Sequence, residues 1–321
     1  MLAWQPPAYL RAGGTLVQAR LFDLRQHAHW LDPSCGRLLG SVWLAKLAQV
    51  LRLPLILPWR PLLHVAYQAA WFREAPDALQ VTESTAMRWL HVAKLQICSL
   101  FGVHKCPILY ISRSDQIQAF SMAHGLGGRG MVVMTSGLLR FMSKDEAKAI
   151  LAHEIAHIVL QHSLRIRVNS VVSRIRLQLS IMKHLEMVKQ KRKQRTQGNA
   201  INGEEAIISG ILLHALSLRW QLQSRAAELS ADRGMLAVVK PEVAALAIAK
   251  LGSVEDPSSF VAQASEFVQK RGGMLRAWSF FTGRSHPFLA IRILALDTYY
   301  KAHGTELDSI RKHFQEASKA T

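Results

Sequence analysis

Acidic residues are scarce: 22 Asp and Glu stand against 40 Lys and Arg in 321 residues, a net charge of +18. Such a surface attracts anionic partners, whether lipid headgroups, nucleic acid or acidic protein, and carries no information about the fold. Cysteine is scarcer still. Cys35, Cys98 and Cys106 are odd in number, scattered, and never spaced C-x-x-C. That excludes a disulfide framework and points to a reducing compartment, with the thiols acting as small buried hydrophobes. Long uncharged runs are missing too. The longest, 116–128 and 206–218, are 13 residues each, whereas a membrane-spanning helix needs about 20 apolar residues. The start, MLAWQPPAYLRAGGTLVQAR, lacks a basic segment followed by an apolar core, so no secretory signal is expected. The expectation is a cytoplasmic protein, at most peripheral on the inner membrane face. No internal repeat is visible. A chain that is 50% hydrophobic and 19% charged has a globular composition, with length for one large domain or two ordinary ones.

The chain is organised around 149-AILAHEIAHIVLQH-162. His153, Glu154 and His157 form H-E-x-x-H. On a helix the two histidines stack on one face and can share a zinc ion, with Glu154 beside it to take a proton from zinc-bound water. Ser143 as N-cap with Glu146 three residues on forms a capping box, and Asp145 and Glu146 suit the positive helix start. Five residues also recur by chance on ordinary helices, so a third ligand and a substrate cleft must come from elsewhere. His162 lies too far along the helix from His153 to share the metal.

The surroundings suggest how the site is framed. Residues 1–37 read as irregular and 38–73 as helical, with Trp43, Trp59 and Trp71 among basic residues. That mixture suits either a packed helical layer or a membrane surface. Residues 77–101 read as a helix. Strands are expected over 107–113, 116–123 and 130–137, the last two joined by the glycine-rich 124-HGLGGRG-130, which reads as a hairpin loop rather than a phosphate cradle. Beyond the motif a basic amphipathic helix leads to 189-KQKRKQRTQGNAINGEE-205, a mobile polar loop. No aromatics interleave with its charges, so nucleic acid is not expected as a partner. The C-terminal part reads as helical, with Pro241 at a helix start, another helix from Asp256-Pro257, and a turn and helix over 285–300. Residues 303–321 read as a polar tail.

The third ligand is best sought in 225-RAAELSADRGML-236. Glu228 is a carboxylate of the type that completes a catalytic His-His-Glu set. Asp232, one turn on, can reach a ligating imidazole from behind. Both would otherwise be exposed helix acids.

At this point the sequence resembles the gluzincin zinc metallopeptidases that include HtpX and the type I CAAX prenyl endopeptidase. The resemblance rests on 119-AFSMAHGLGGRGMVVMTSGLL-139, 153-HEIAH-157, 225-RAAELSADRGML-236 and 285-SHPFLAIR-292. It implies an α+β, mostly helical, zincin-like core at 105–302 with a small antiparallel or mixed sheet beside the H-E-x-x-H helix. A helical region of unknown role (1–104) precedes it. It implies one zinc per chain held by His153, His157 and Glu228, Asp232 in support, and Glu154 as base. It also implies His286 and Arg292 beside the reacting oxyanion, and Ala119 and Phe120 on an edge strand that takes up an extended peptide. The expected function is hydrolysis of peptide bonds in extended or unfolded protein. The rivals are a zinc-binding chaperone or adaptor and a basic membrane-surface protein. Glu154, which a pure binder does not need, favours the enzyme.

Overall fold

The computed structural model describes residues 24, 77–103, 105–122, 130–160, 162, 222, 224–281 and 287–319. The helix expected within 38–73, the basic helix and loop of 163–205, the apolar run 206–218, most of the glycine-rich loop and His286 lie outside the described residues.

The sheet has four strands: β1 (Leu79–Gln80), β2 (Ile108–Ser112), β3 (Ala119–Met122) and β4 (Met131–Thr135), in the order β1-β2-β4-β3. The sheet is mixed. β2 and β4 run parallel, with Tyr110 opposite Val133, while β3 pairs antiparallel to β4 with Phe120 opposite Val133. β4 reads MVVMT and is buried throughout, as expected of a central strand covered on both faces. β3 is a sheet edge, and Phe120 on it is 37% exposed. Thr135 locks the edge to the centre: its Oγ1 donates to Gln116 O and accepts from Gln118 N, and it caps the short helix α2 (Ser136–Phe141).

The remaining helices are α1 (Arg88–Leu100), α3 (Lys144–Val159), α4 (224–236), α5 (Pro241–Leu251), α6 (Pro257–Phe281) and α7 (Leu289–Lys319). α3 starts at the expected place. Ser143 Oγ accepts from Glu146 N while Glu146 Oε2 accepts from Ser143 N at 2.7 Å, and Lys250 Nζ on α5 donates to the same carboxylate at 2.8 Å. Pro241 stands in the first turn of α5. α3 packs on α1, α5 and β3, so the H-E-x-x-H helix runs through the main core.

Two sequence expectations change. Residues 77–101 do not form one helix: Leu79–Gln80 is a short strand, and α1 begins at Arg88. The polar end is not a peripheral tail. α7 runs through to Lys319 and buries Leu307, Ile310, Phe314 and Arg311. The polar composition hid this because one buried residue per turn suffices to seat a helix whose other faces are wet. Arg311 Nη1 donates to the carbonyls of Leu236 (2.8 Å) and Val239 (3.3 Å), capping the end of α4. Among the described residues no helix is long and apolar enough to cross a membrane.

Candidate metal centre

α3 supplies His153, Glu154 and His157, and the 3.6-residue period stacks the two imidazoles with their Nε2 atoms 3.0 Å apart. α4 crosses α3 closely because both helices are small at the crossing. A Cβ on Gly234 would come within 3.1 Å of Ala156 Cβ and 3.3 Å of Leu24 Cδ2. That approach brings Glu228 to the histidines: its Oε2 is 3.6 Å from His153 Nε2 and its Oε1 3.5 Å from His157 Nε2. The three donors form a metal-compatible cluster. A tetrahedral zinc ion with bonds of about 2.0–2.1 Å holds its ligand atoms about 3.3 Å apart. The donor separations bracket that spacing, and two imidazoles with one carboxylate suit zinc. These residues therefore fit the ion.

Behind the donors the charges are ordered. Asp232 Oδ1 lies 3.0 Å from His153 Nδ1, a close ionic contact bent away from ideal hydrogen-bond alignment. Arg292, from the first turn of α7, grips Asp232 with both arms: Nε to Oδ2 at 2.8 Å and Nη2 to Oδ1 at 2.6 Å. Its Nη1 reaches to 3.6 Å from Glu228 Oε2. Asp232 is 1% and Arg292 5% exposed, so the pair is buried. Burial alone would raise the Asp232 pKa, but Arg292 and then His153 hold it below the ordinary carboxylate value. Burial pulls His153 down, yet Asp232, Glu228 and Glu154 together leave it raised. Burial, His153 and His162 hold His157 well below the ordinary imidazole value, despite Glu228. Burial lifts the Glu154 carboxyl above its usual range, against the pull of His153 and a hydrogen bond from Ser121 on β3.

The structure thus gathers His153, Glu154, His157, Glu228, Asp232 and Arg292. Ala119 and Phe120 lie on β3, which packs on α3. Two further residues join the site. Ser121 touches Glu154, a contact that strand alternation from Ala119 would have marked. His162, set aside as a ligand, returns as a neighbour: its Nδ1 is 2.9 Å from His157 Nδ1.

Two histidines and a glutamate on one helix, a glutamate from a second helix and the edge of a small mixed sheet beside them have the arrangement of a gluzincin-type metal centre. Residues 85–300 match Peptidase family M48, and the chain belongs to that family, which unites HtpX with the type I CAAX prenyl endopeptidase. The match begins at 85 and so takes in α1. Protease HtpX of Pasteurella multocida is 28% identical over 198 residues, and that of Histophilus somni 30% over 203. Each alignment covers 59% of this chain and 65% of the relative, so the chain spans just under two thirds of their length. The crystal structure of S. mikatae Ste24p aligns with 79% of this chain and 57% of its own at a TM-score of 0.43 and 18% identity.

Proposed function

We propose that this chain is a zinc metalloendopeptidase acting on extended or unfolded protein. The observation that carries the reading is the convergence of His153 Nε2, His157 Nε2 and the Glu228 carboxylate within 4.8 Å of one another, with Glu154 buried beside them. Zinc held there supplies a Lewis acid for the scissile carbonyl and lowers the pKa of water. Glu154 is the proton carrier. Its carboxylate takes a proton from the attacking water and returns it to the leaving amine.

The edge of β3 is the proposed seat of the substrate. An extended peptide adds as a further strand beside Ala119 and Phe120, and main-chain hydrogen bonds then give affinity with little sequence demand. Ser121 on the same strand steadies Glu154, so substrate and base are held by one element. Arg292 acts through Asp232 and Glu228, which occupy its guanidinium. His286 is the proposed oxyanion donor. Peripheral contact with anionic membrane belongs to the same proposal and rests on the net charge of +18. It predicts co-sedimentation with anionic vesicles that weakens as salt rises, and absence of binding at low salt would remove it.

The reading is tested by metal content and by cleavage of a denatured protein. Wild type should carry about one zinc and cleave; Glu228→Ala should carry far less and not cleave. Full zinc content in the Glu228→Ala protein would place the metal elsewhere.

A further inference from the structure

We infer that His162 is a positioning residue of the metal centre, accepting a hydrogen bond from His157 Nδ1 and so fixing the tautomer that presents His157 Nε2 to the ion. The inference rests on the zinc reading above and adds to it a partner for the second imidazole. In a regular helix residues i and i+5 lie about 140° apart around the axis, so His162 would face away from His157. α3, however, ends at Val159, with Leu160 as its cap. The chain then brings the His162 ring back, with Nδ1 2.9 Å from His157 Nδ1, ring centroids 5.0 Å apart and planes at 75°. His162 is 2% exposed, so this contact is shielded from water.

The geometry assigns the protons. Two nitrogens this close need one N–H and one lone pair between them. If His157 Nε2 is a ligand atom, its proton sits on Nδ1, so His157 donates and His162 Nδ1 accepts. His162 then carries its own proton on Nε2. The two ligating imidazoles are thus supported differently: His153 faces the Asp232 carboxylate, whereas His157 faces a second imidazole. The donor set keeps Glu228 as its anionic ligand, and His162 contributes direction without adding a negative charge.

The test compares two full-length variants. In His162→Asn the amide Oδ1 stands near the place of Nδ1 and can accept; in His162→Leu no acceptor remains. Zinc dissociation constants come from chelator competition, with metal-free melting temperatures measured alongside. Loss of a partner behind a ligand typically costs about 10–100-fold in metal affinity. We therefore expect His162→Leu to weaken zinc binding about 10–100-fold, and His162→Asn to weaken it less than about 10-fold. Equal weakening in both, or none in either, would overturn the inference while leaving the zinc reading intact. A wild type that takes no zinc would overturn the zinc reading itself and this inference with it. If His162→Leu does not fold, long-range ¹⁵N correlation on the wild-type zinc form decides: His162 unprotonated at Nδ1 is expected, and a protonated Nδ1 overturns the assignment.

Discussion

Asp232 shows how much one carboxylate carries. It is buried, gripped by both arms of Arg292 and pressed against His153. Removing its charge in Asp232→Asn leaves the Arg292 guanidinium buried without its paired carboxylate, with Glu228 at 3.6 Å and Glu154 as its remaining negative neighbours. Breaking one partner of a buried pair costs about 3–5 kcal/mol, and that loss should appear in denaturant unfolding of the metal-free protein. The pH dependence has a definite sign. The folded pKa of Asp232 is depressed, so its contribution is fully present above the unfolded value of about 3.9 and is lost as pH falls through the folded value. Wild-type stability should therefore drop on acidification below about pH 4, and Asp232→Asn should flatten that drop. An unchanged acid limb would mean that Asp232 is not ionised in the folded protein. At this scale the sequence was informative where spacing encodes chemistry. His153, Glu154 and His157 lie within one turn, and Glu228 and Asp232 lie one turn apart on another helix. Ser121 was legible only through strand alternation from Ala119, once β3 is known to face α3, and His162 was not legible as a site residue. The first depends on β3 packing against α3, and the second on the helix ending at Val159.

Helix α4 delivers the third donor, and its seat depends on a glycine. A larger residue at 234 meets Ala156 Cβ at 3.1 Å and Phe101 Cζ at 3.4 Å. Gly234→Val should push α4 away from α3, at a cost typical of overpacking, about 1–3 kcal/mol. It should also weaken zinc binding, because Glu228 moves with the helix. Titration with a fluorescent zinc chelator checks this; unchanged affinity would show that Glu228 is not held by that crossing. The start of α3 offers a milder case. Ser143→Ala removes the hydroxyl that accepts from Glu146 N and should cost about 1 kcal/mol with zinc content unchanged, read from thermal melts with and without metal. The capping box and Pro241 were readable because caps are local signals. The split of 77–101 into β1 and α1 was not, since Leu79–Gln80 is strand only through its pairing with Tyr110 and Ile111 far along the chain.

For the molecule as a whole, the site links elements distant in sequence: α3, α4, the first turn of α7 and the edge of the sheet. The end of α7 returns to α4, where Arg311 caps its carbonyls. A metal that ties α3 to α4 should stabilise the whole fold, because it binds the folded state alone. At a free concentration of 1,000 Kd the gain is about 4 kcal/mol, visible as a rise in melting temperature that a chelator reverses. No shift with saturating zinc would mean that the three donors do not bind it. The class of fold followed from a few ordered segments, but the place of Leu307, Ile310 and Phe314 in the core did not, since they are a few buried side chains in a polar helix.

The central claim is that Glu154 moves a proton at a centre built by His153, His157 and Glu228. Its most direct test pairs zinc content with cleavage of a denatured protein in wild type and Glu154→Gln. About one zinc in both proteins, with cleavage reduced by about 10²–10⁴-fold in the variant, is the predicted result. Wild-type cleavage rates in the zinc-loaded Glu154→Gln protein would contradict it.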